Sequence, residues 1–225
     1  MHTTFGYYDL IEVFSESGCA VCRLVKRDVQ RHLDAILYEH VTDPRIHKRF
    51  RASRGLCAEH GQMFIQPGGV LGVATLYEAV VDELIKSAQS ATDLSPTRGL
   101  SRLLGKNSPV SDALSPAQMC IACETEADSE IRYADILGEH IREEKLSSAY
   151  RGSEGLCVSH FRQAVTNAKS AENAKLLTAI QVEIWGKLRD ELGEFRRKYD
   201  FQHVDEAMGA EGDSWLRAVR LVGGE

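Results

Sequence analysis

The chain has 225 residues, of which 43% are apolar and 27% charged, and a net charge of −6. That length buries one large core or two of about 100 residues each. The acidic balance excludes a chain that neutralises nucleic acid as a whole, and no apolar run approaches the roughly 18–20 residues of a membrane span.

In chain order, the opening "MHTTFGYYDLIEVF" has no basic n-region, apolar h-region or small-residue cleavage site, so it does not read as a signal peptide. The expected compartment is a reducing cytoplasm, where paired cysteines read as metal ligands or redox centres before disulfides. After Cys22, the residues Val25, Val29, Leu33, Ile36 and Leu37 recur at steps of three and four, which predicts a helix. Past the "PGG" break at 67–69, Val73, Leu76, Val80 and Leu84 mark a second. Residues 89–116 are rich in Ser, Pro, Gly and Asn and read as a linker. Within them "GLSRLLGKNS" fails as a phosphate-binding loop, because five residues separate its glycines, Asn follows the Lys and no strand precedes it. A third helix follows Cys123, with Ala127, Ile131, Ala134, Leu137 and Ile141 on one face. The clearest stripe is Leu177, Ile180, Ile184, Leu188, Leu192, Phe195 and Tyr199, and a tail bearing Trp215 closes the chain. Sustained alternation is absent, so strands are expected to be few or none.

Two stretches repeat. Residues 39–60, "EHVTDPRIHKRFRASRGLCAEH", align without a gap on 139–160, "EHIREEKLSSAYRGSEGLCVSH", with eight of 22 positions identical. Upstream, Cys19-x2-Cys22 matches Cys120-x2-Cys123, one residue out of phase. The economical reading is two copies of one supersecondary unit. All six cysteines fall in these copies as Cys-x2-Cys…Cys-x2-His, with 34 and 33 residues between the pairs. A Cys-x2-Cys knuckle lets two thiolates converge on one ion, and Cys-x2-His at a helix start places both side chains on one face. Three thiolates and an imidazole form a closed tetrahedral shell, the arrangement of structural zinc. Gly55 and Gly155 permit a tight turn before the third cysteine, and a helix starting there would favour its thiolate.

The ligands are therefore Cys19, Cys22, Cys57, His60, Cys120, Cys123, Cys157 and His160, holding two zinc ions per chain. The main rival is a [2Fe–2S] cluster, which a mixed shell also holds. Pairing stays open: each knuckle closes on the Cys-His pair of its own copy, or on that of the other. The repeated Glu39-His40 and Glu139-His140 are candidates for orienting the ligand histidines, with a helix-end packing role as the alternative. A closed shell leaves no position for substrate, and no catalytic motif is present, so no catalytic or cofactor-binding residue is assigned; this argues against metal catalysis and leaves a metal-free enzyme open. Residues 23–54 carry net charge +5 and residues 124–154 net −5. Either the units attract one another, or Arg27, Arg31, Lys48, Arg49 and Arg51 face an acidic partner such as RNA; no aromatic platform accompanies them.

The Cys19-Ala-Val-Cys22 knuckle, "DPRIHKRFRASRGLCAEH", "LGEFRRKYD" at 192–200 and "EGDSWLRAVRLVGG" at 211–224 together resemble an uncharacterised bacterial family, DUF6062. The resemblance spans nearly the whole chain and implies an all-helical metal-binding protein of unknown function. It departs at Ala20 and Ala122, where the family pattern has proline beside the knuckle cysteines.

The expectation is thus an all-α protein of two pseudo-repeated helical units, each with a Cys3His metal site, plus a long C-terminal helix. The domains expected are 1–90, a linker 91–116, 117–170, and a C-terminal helix and tail over 171–225. The function expected is a zinc-stabilised interaction or adaptor module with a protein partner. An iron–sulfur or thiol redox protein is the first alternative and an RNA-associated factor the second. No membrane association is expected, and a homo-oligomer is left open.

Overall fold

The computed structural model describes residues 2–93, 108–203 and 205–224. Among them are eleven α-helices and no strand: α1 (His2–Val13), α2 (Ala20–Tyr38), α3 (Pro44–Ala52), α4 (Ala58–Phe64), α5 (Val70–Asp93), α6 (Pro109–Leu114), α7 (Ile121–His140), α8 (Glu144–Arg151), α9 (Val158–Thr166), α10 (Ala171–Lys198) and α11 (Ser214–Gly223). A 3-10 turn, Ala210–Asp213, precedes α11. The fold is all-α, as the periodicity predicts. No helix among the described residues is long and apolar enough to cross a membrane. The linker contains α6, and most of the "GLSRLLGKNS" stretch lies outside the described residues.

Local chemistry accounts for the helix ends. Asp43 caps α3, its carboxylate accepting the Arg45 N–H at 2.8 Å, with Pro44 in the first position, where a missing N–H costs nothing. Ser170 caps α10 by accepting the Asn173 N–H at 3.1 Å. The last turn of α10 carries Arg196, Arg197 and Lys198, which complement the negative end of the helix dipole. Along α10 the stripe holds for Leu177, Ile180, Ile184 and Leu188, which are buried, while Tyr199 is exposed where the helix ends. Ile131 departs from its expected face: it is 54% exposed. The inner face of α7 runs through Ser129, Tyr133, Ala134, Ile136 and Leu137, with Glu130 half-buried beside it, and Ile141 is buried just past the end of the helix.

The chain packs as two units. One is Asp28–Glu126, with a core that includes Val29, Leu33, Ile36, Leu37, Leu76 and Val80. In it the Phe50 ring lies 5.9 Å from Phe64 and edge-on to Tyr77 at 6.1 Å. The other is Met1–Arg27 with Ala127–Glu225. There Phe14 stacks on Tyr150 at 5.2 Å, and Leu10, Leu137, Ile141, Leu146, Leu177 and Ile180 are fully buried. Its tail is tied to α10 by Lys198–Glu211 at 2.7 Å and Arg217–Glu191 at 2.5 Å.

This division differs from the linear one expected from the repeat, 1–90 followed by 117–170. Its boundaries fall inside α2 and α7, so each unit takes one knuckle from one copy and the Cys-His pair from the other. The reason is reach. A helix of 19 residues, such as α2, is about 28 Å long, and the nine residues of α3 span only about 13 Å. Hydrogen-bonded turns at His40–Asp43 and Phe50–Gly55 keep the ends of α3 compact. Cys57 is therefore not brought back to the end of α2 that carries Cys22.

Candidate metal centres

Every predicted ligand sits at a helix N-terminus. Cys57 is the N-cap of α4 and Cys157 the N-cap of α9, both in extended backbone geometry. Cys19 immediately precedes α2 and Cys120 immediately precedes α7. Three residues on, Cys22, His60, Cys123 and His160 occupy the first turn of the same helices. An N-cap and the third helical residue face one way, which is why x2 spacing recurs in all four pairs. Each centre is thus built where two helix N-termini meet, and their free N–H groups and positive dipole ends favour thiolates there.

The first centre gathers Cys19, Cys22, Cys157 and His160, and the second Cys57, His60, Cys120 and Cys123, with the ligand atoms of each within 4.8 Å of one another. The exchanged pairing is the one observed. In the first, Cys22 and Cys157 Sγ are 3.7 Å apart, and His160 Nδ1 lies 3.5, 3.3 and 3.2 Å from the sulfurs of Cys19, Cys22 and Cys157. In the second, Cys123 and Cys57 Sγ are 3.7 Å apart, and His60 Nδ1 lies 3.2, 3.9 and 3.4 Å from Cys57, Cys120 and Cys123. These separations far exceed a disulfide bond of about 2.05 Å. A tetrahedral ion with bonds of about 2.3 Å to sulfur and about 2.05 Å to nitrogen has S–S edges of about 3.8 Å and S–N edges of about 3.6 Å. Both quartets have those dimensions, so both could hold a metal ion.

Approach turns position the third cysteines. Gly55 and Gly155 have φ of +86° and +88°, the left-handed region that the sequence assigns to them. A side chain on Gly155 would come within 2.7 Å of Gln181 Nε2. Gln181 is fully buried; its Oε1 accepts the Leu156 N–H at 3.0 Å and its Nε2 donates to the Leu156 carbonyl at 3.2 Å. The Tyr150 hydroxyl also donates to Gln181 Oε1. At the matching place in the second centre, the Leu56 N–H reaches Tyr77 Oη at 3.4 Å.

Electrostatics in the quartets are those of thiols competing for protons. Hydrogen bonds with Cys157 and Cys19, followed by burial, push the Cys22 thiol far up. The hydrogen bonds from Cys19 and Cys22 drive Cys157 strongly down, against its burial. Burial would lower His160, but hydrogen bonds to Cys157 and Cys19 overcome it and raise the imidazole to about 10. In the second centre, burial and then the bond to Cys57 raise Cys123 to about 12. Neighbouring thiolates repel, so the protons stay on some sulfurs; a divalent cation replaces those protons and lets every sulfur ionise.

With Nδ1 turned to the sulfurs, each histidine offers Nε2 to a carboxylate. His160 Nε2 is 3.2 Å from Glu130, whose other oxygen accepts from Gln163 Nε2 at 3.0 Å. His60 Nε2 is 3.7 Å from Glu126. Glu130 is therefore placed to orient His160, where the expected candidates were Glu39, His40, Glu139 and His140, while Glu126 faces His60 from beyond hydrogen-bond distance. Those four serve elsewhere. Glu39 and His40 are exposed beyond the end of α2, the Glu139 carbonyl accepts from Asn173, and His140 bonds Glu143 at 2.7 Å and stacks edge-on to Tyr7. They lie at the far end of long helices from the knuckles. The usable signal was the x2 spacing from Cys123 to Glu126, with Glu130 one turn further along α7.

The basic stretch is partly neutralised: Arg27 pairs with Asp9 at 2.5 Å and Arg49 with Glu124. Arg31 and Lys48 are exposed. His32 is half-buried, and burial followed by the neighbouring His40 lowers its imidazole.

The sequence pattern described as a "Family of unknown function (DUF6062)" matches residues 3–225. A protein of Caldicellulosiruptor sp. (strain Rt8B.4), described as an uncharacterized 23.9 kDa protein in the xynA 3′ region, is 24% identical over 217 residues, covering 96% of this chain and 99% of that one. No solved structure matches the chain.

Proposed function

The chain belongs to the DUF6062 family, and because that family carries no assigned activity, we propose from the site chemistry that it is a cytoplasmic, zinc-stapled helical protein working as an interaction module. The observation that carries the reading is the pair of Cys3His tetrahedra, each assembled from two helix N-termini. Four protein ligands fill a zinc shell and leave no place for water or substrate, so the metal holds helices together and does not perform chemistry. In one unit it would join α2 to α9 and in the other α4 to α7. Binding free energy of that kind is folding free energy.

An adaptor role is supported by apolar side chains left in solvent. Trp215, Val219 and Val222 recur along one side of α11, and Ile65, Val70 and Leu71 surround the turn into α5. A partner protein is the natural cover for such surfaces. Zinc suits the donor set because a closed Cys3His shell is its common structural arrangement.

Elemental analysis of the purified protein tests the metal, with two zinc ions per chain and no visible absorption as the expected result. A coloured protein containing iron and acid-labile sulfide would overturn zinc in favour of an iron–sulfur protein. Metal-free protein with unchanged thermal stability would overturn both.

A further inference from the structure

We propose that the two centres are unequal: the Cys57–His60–Cys120–Cys123 centre releases its ion first, and the Cys19–Cys22–Cys157–His160 centre holds its ion longer. The inference rests on the metal reading above. It makes the clasp between α4 and α7 more sensitive to metal supply than the clasp between α2 and α9.

Three independent features separate quartets of the same composition. The first is histidine support. His160 is fixed by Glu130 at 3.2 Å, and Glu130 by Gln163 at 3.0 Å, whereas His60 and Glu126 at 3.7 Å are beyond hydrogen-bond distance. Partners of this kind typically govern about 10–100-fold in metal affinity. The second is the turn that delivers the third cysteine. Both polar groups of Leu156 are held by Gln181, from full burial; Leu56 has its N–H at 3.4 Å from a half-buried tyrosine hydroxyl.

Access to sulfur is the third. An ion leaves a closed shell when an incoming donor replaces the protein ligands one at a time, so departure starts at a sulfur that solvent reaches. Cys157 is 2% exposed, while its counterpart Cys57 is only half-buried, as is Cys123. In the first centre only Cys22 is half-buried, while Cys19 and Cys157 are buried, so solvent reaches one cysteine there against two in the second. Geometry agrees, since Cys120 Sγ stands 3.9 Å from His60 Nδ1 and the matching Cys19–His160 distance is 3.5 Å.

Stabilising contacts around the second centre do not reverse this order. The Ala117 N–H donates to the Ala52 carbonyl at 2.8 Å, and Arg49 pairs with Glu124. Both lie beside the centre and leave Cys57 and Cys123 half-buried. The ion departs as its chelate, and the freed thiolates take up protons from solvent.

The test uses the full chain carrying two zinc equivalents, mixed with excess of the chromogenic chelator 4-(2-pyridylazo)resorcinol. Fewer than two bound equivalents at the outset would defeat the metal reading itself, separately from this proposal. With two bound, the expected result is release in two phases of one equivalent each, about tenfold or more apart in rate. N-ethylmaleimide added after the fast phase labels Cys57, Cys120 and Cys123, as peptide mapping reads, and spares Cys19, Cys22 and Cys157. A Cys123→Ser variant keeps only the slow equivalent; if it fails to fold, mapping of the unaltered protein decides. Release of both equivalents in one phase, or first labelling at Cys19, Cys22 or Cys157, would overturn the proposal.

Discussion

Gln181→Met removes the clamp on the turn before Cys157 while nearly conserving side-chain volume, so the loss is one of hydrogen bonding and not of packing. Gln181 serves three groups: the Leu156 N–H, the Leu156 carbonyl and the Tyr150 hydroxyl. Gln181, Leu156 and Tyr150 are all fully buried, so water does not replace the missing partner. Each orphaned group costs about 1–3 kcal/mol, and the lower end alone gives about 3 kcal/mol. For a chain of this size that lowers Tm by roughly 6–12 °C. The control is Tyr77→Phe, which removes one long contact at 3.4 Å to a half-buried hydroxyl and is expected to cost less than about 1 kcal/mol. Scanning calorimetry of both variants at fixed zinc excess reads the difference. A Gln181→Met loss no larger than that of Tyr77→Phe would refute the reasoning.

Gly155→Ala places a Cβ at φ +88° and 2.7 Å from Gln181 Nε2, and is expected to cost about 1–3 kcal/mol in urea unfolding. Gly186→Ala, in an open position of α10, serves as the neutral-to-stabilising comparison. Glu130→Ala is expected to weaken zinc at the first centre by about 10–100-fold in competition titrations, and Glu126→Ala to weaken the second centre by less; equal losses would count against a role for the 3.2 Å and 3.7 Å difference. Glu211 is held down to about 2 by the Gly209 N–H and then by Lys198. Because that value lies below the ordinary 4.5, its stabilisation is complete above about pH 4.5 and is lost as the pH falls towards 2. The Tm advantage of the unaltered protein over Glu211→Gln should shrink through that window, and a constant advantage would contradict it.

Much of the candidate site was legible because its signal is local. Cys-x2-Cys and Cys-x2-His each place two donors on one face of a helix start, whatever the rest of the chain does, and Gly55 and Gly155 mark turns that their positive φ requires. The helices were legible for the same reason: an apolar stripe such as Leu177, Ile180, Ile184 and Leu188 reports its own periodicity. Ile131 misled because one apolar residue beside a face looks like a member of it. Glu130, whose carboxylate meets His160, reads in sequence as one more surface carboxylate. The histidine partners were missed because Glu39-His40 and Glu139-His140 repeat conspicuously, while repetition says nothing of distance in space.

By itself the sequence determined the helical class, the eight donors and the turns that deliver them, all properties of segments a few residues long. Only the tertiary structure decided which knuckle meets which Cys-His pair. That choice depends on the 19 residues of α2 and the 20 of α7, which carry the chain about 28–30 Å from each knuckle before a short helix begins. Spacing along the chain cannot report where such a rod ends, so the two staples close between copies of the motif and not within them.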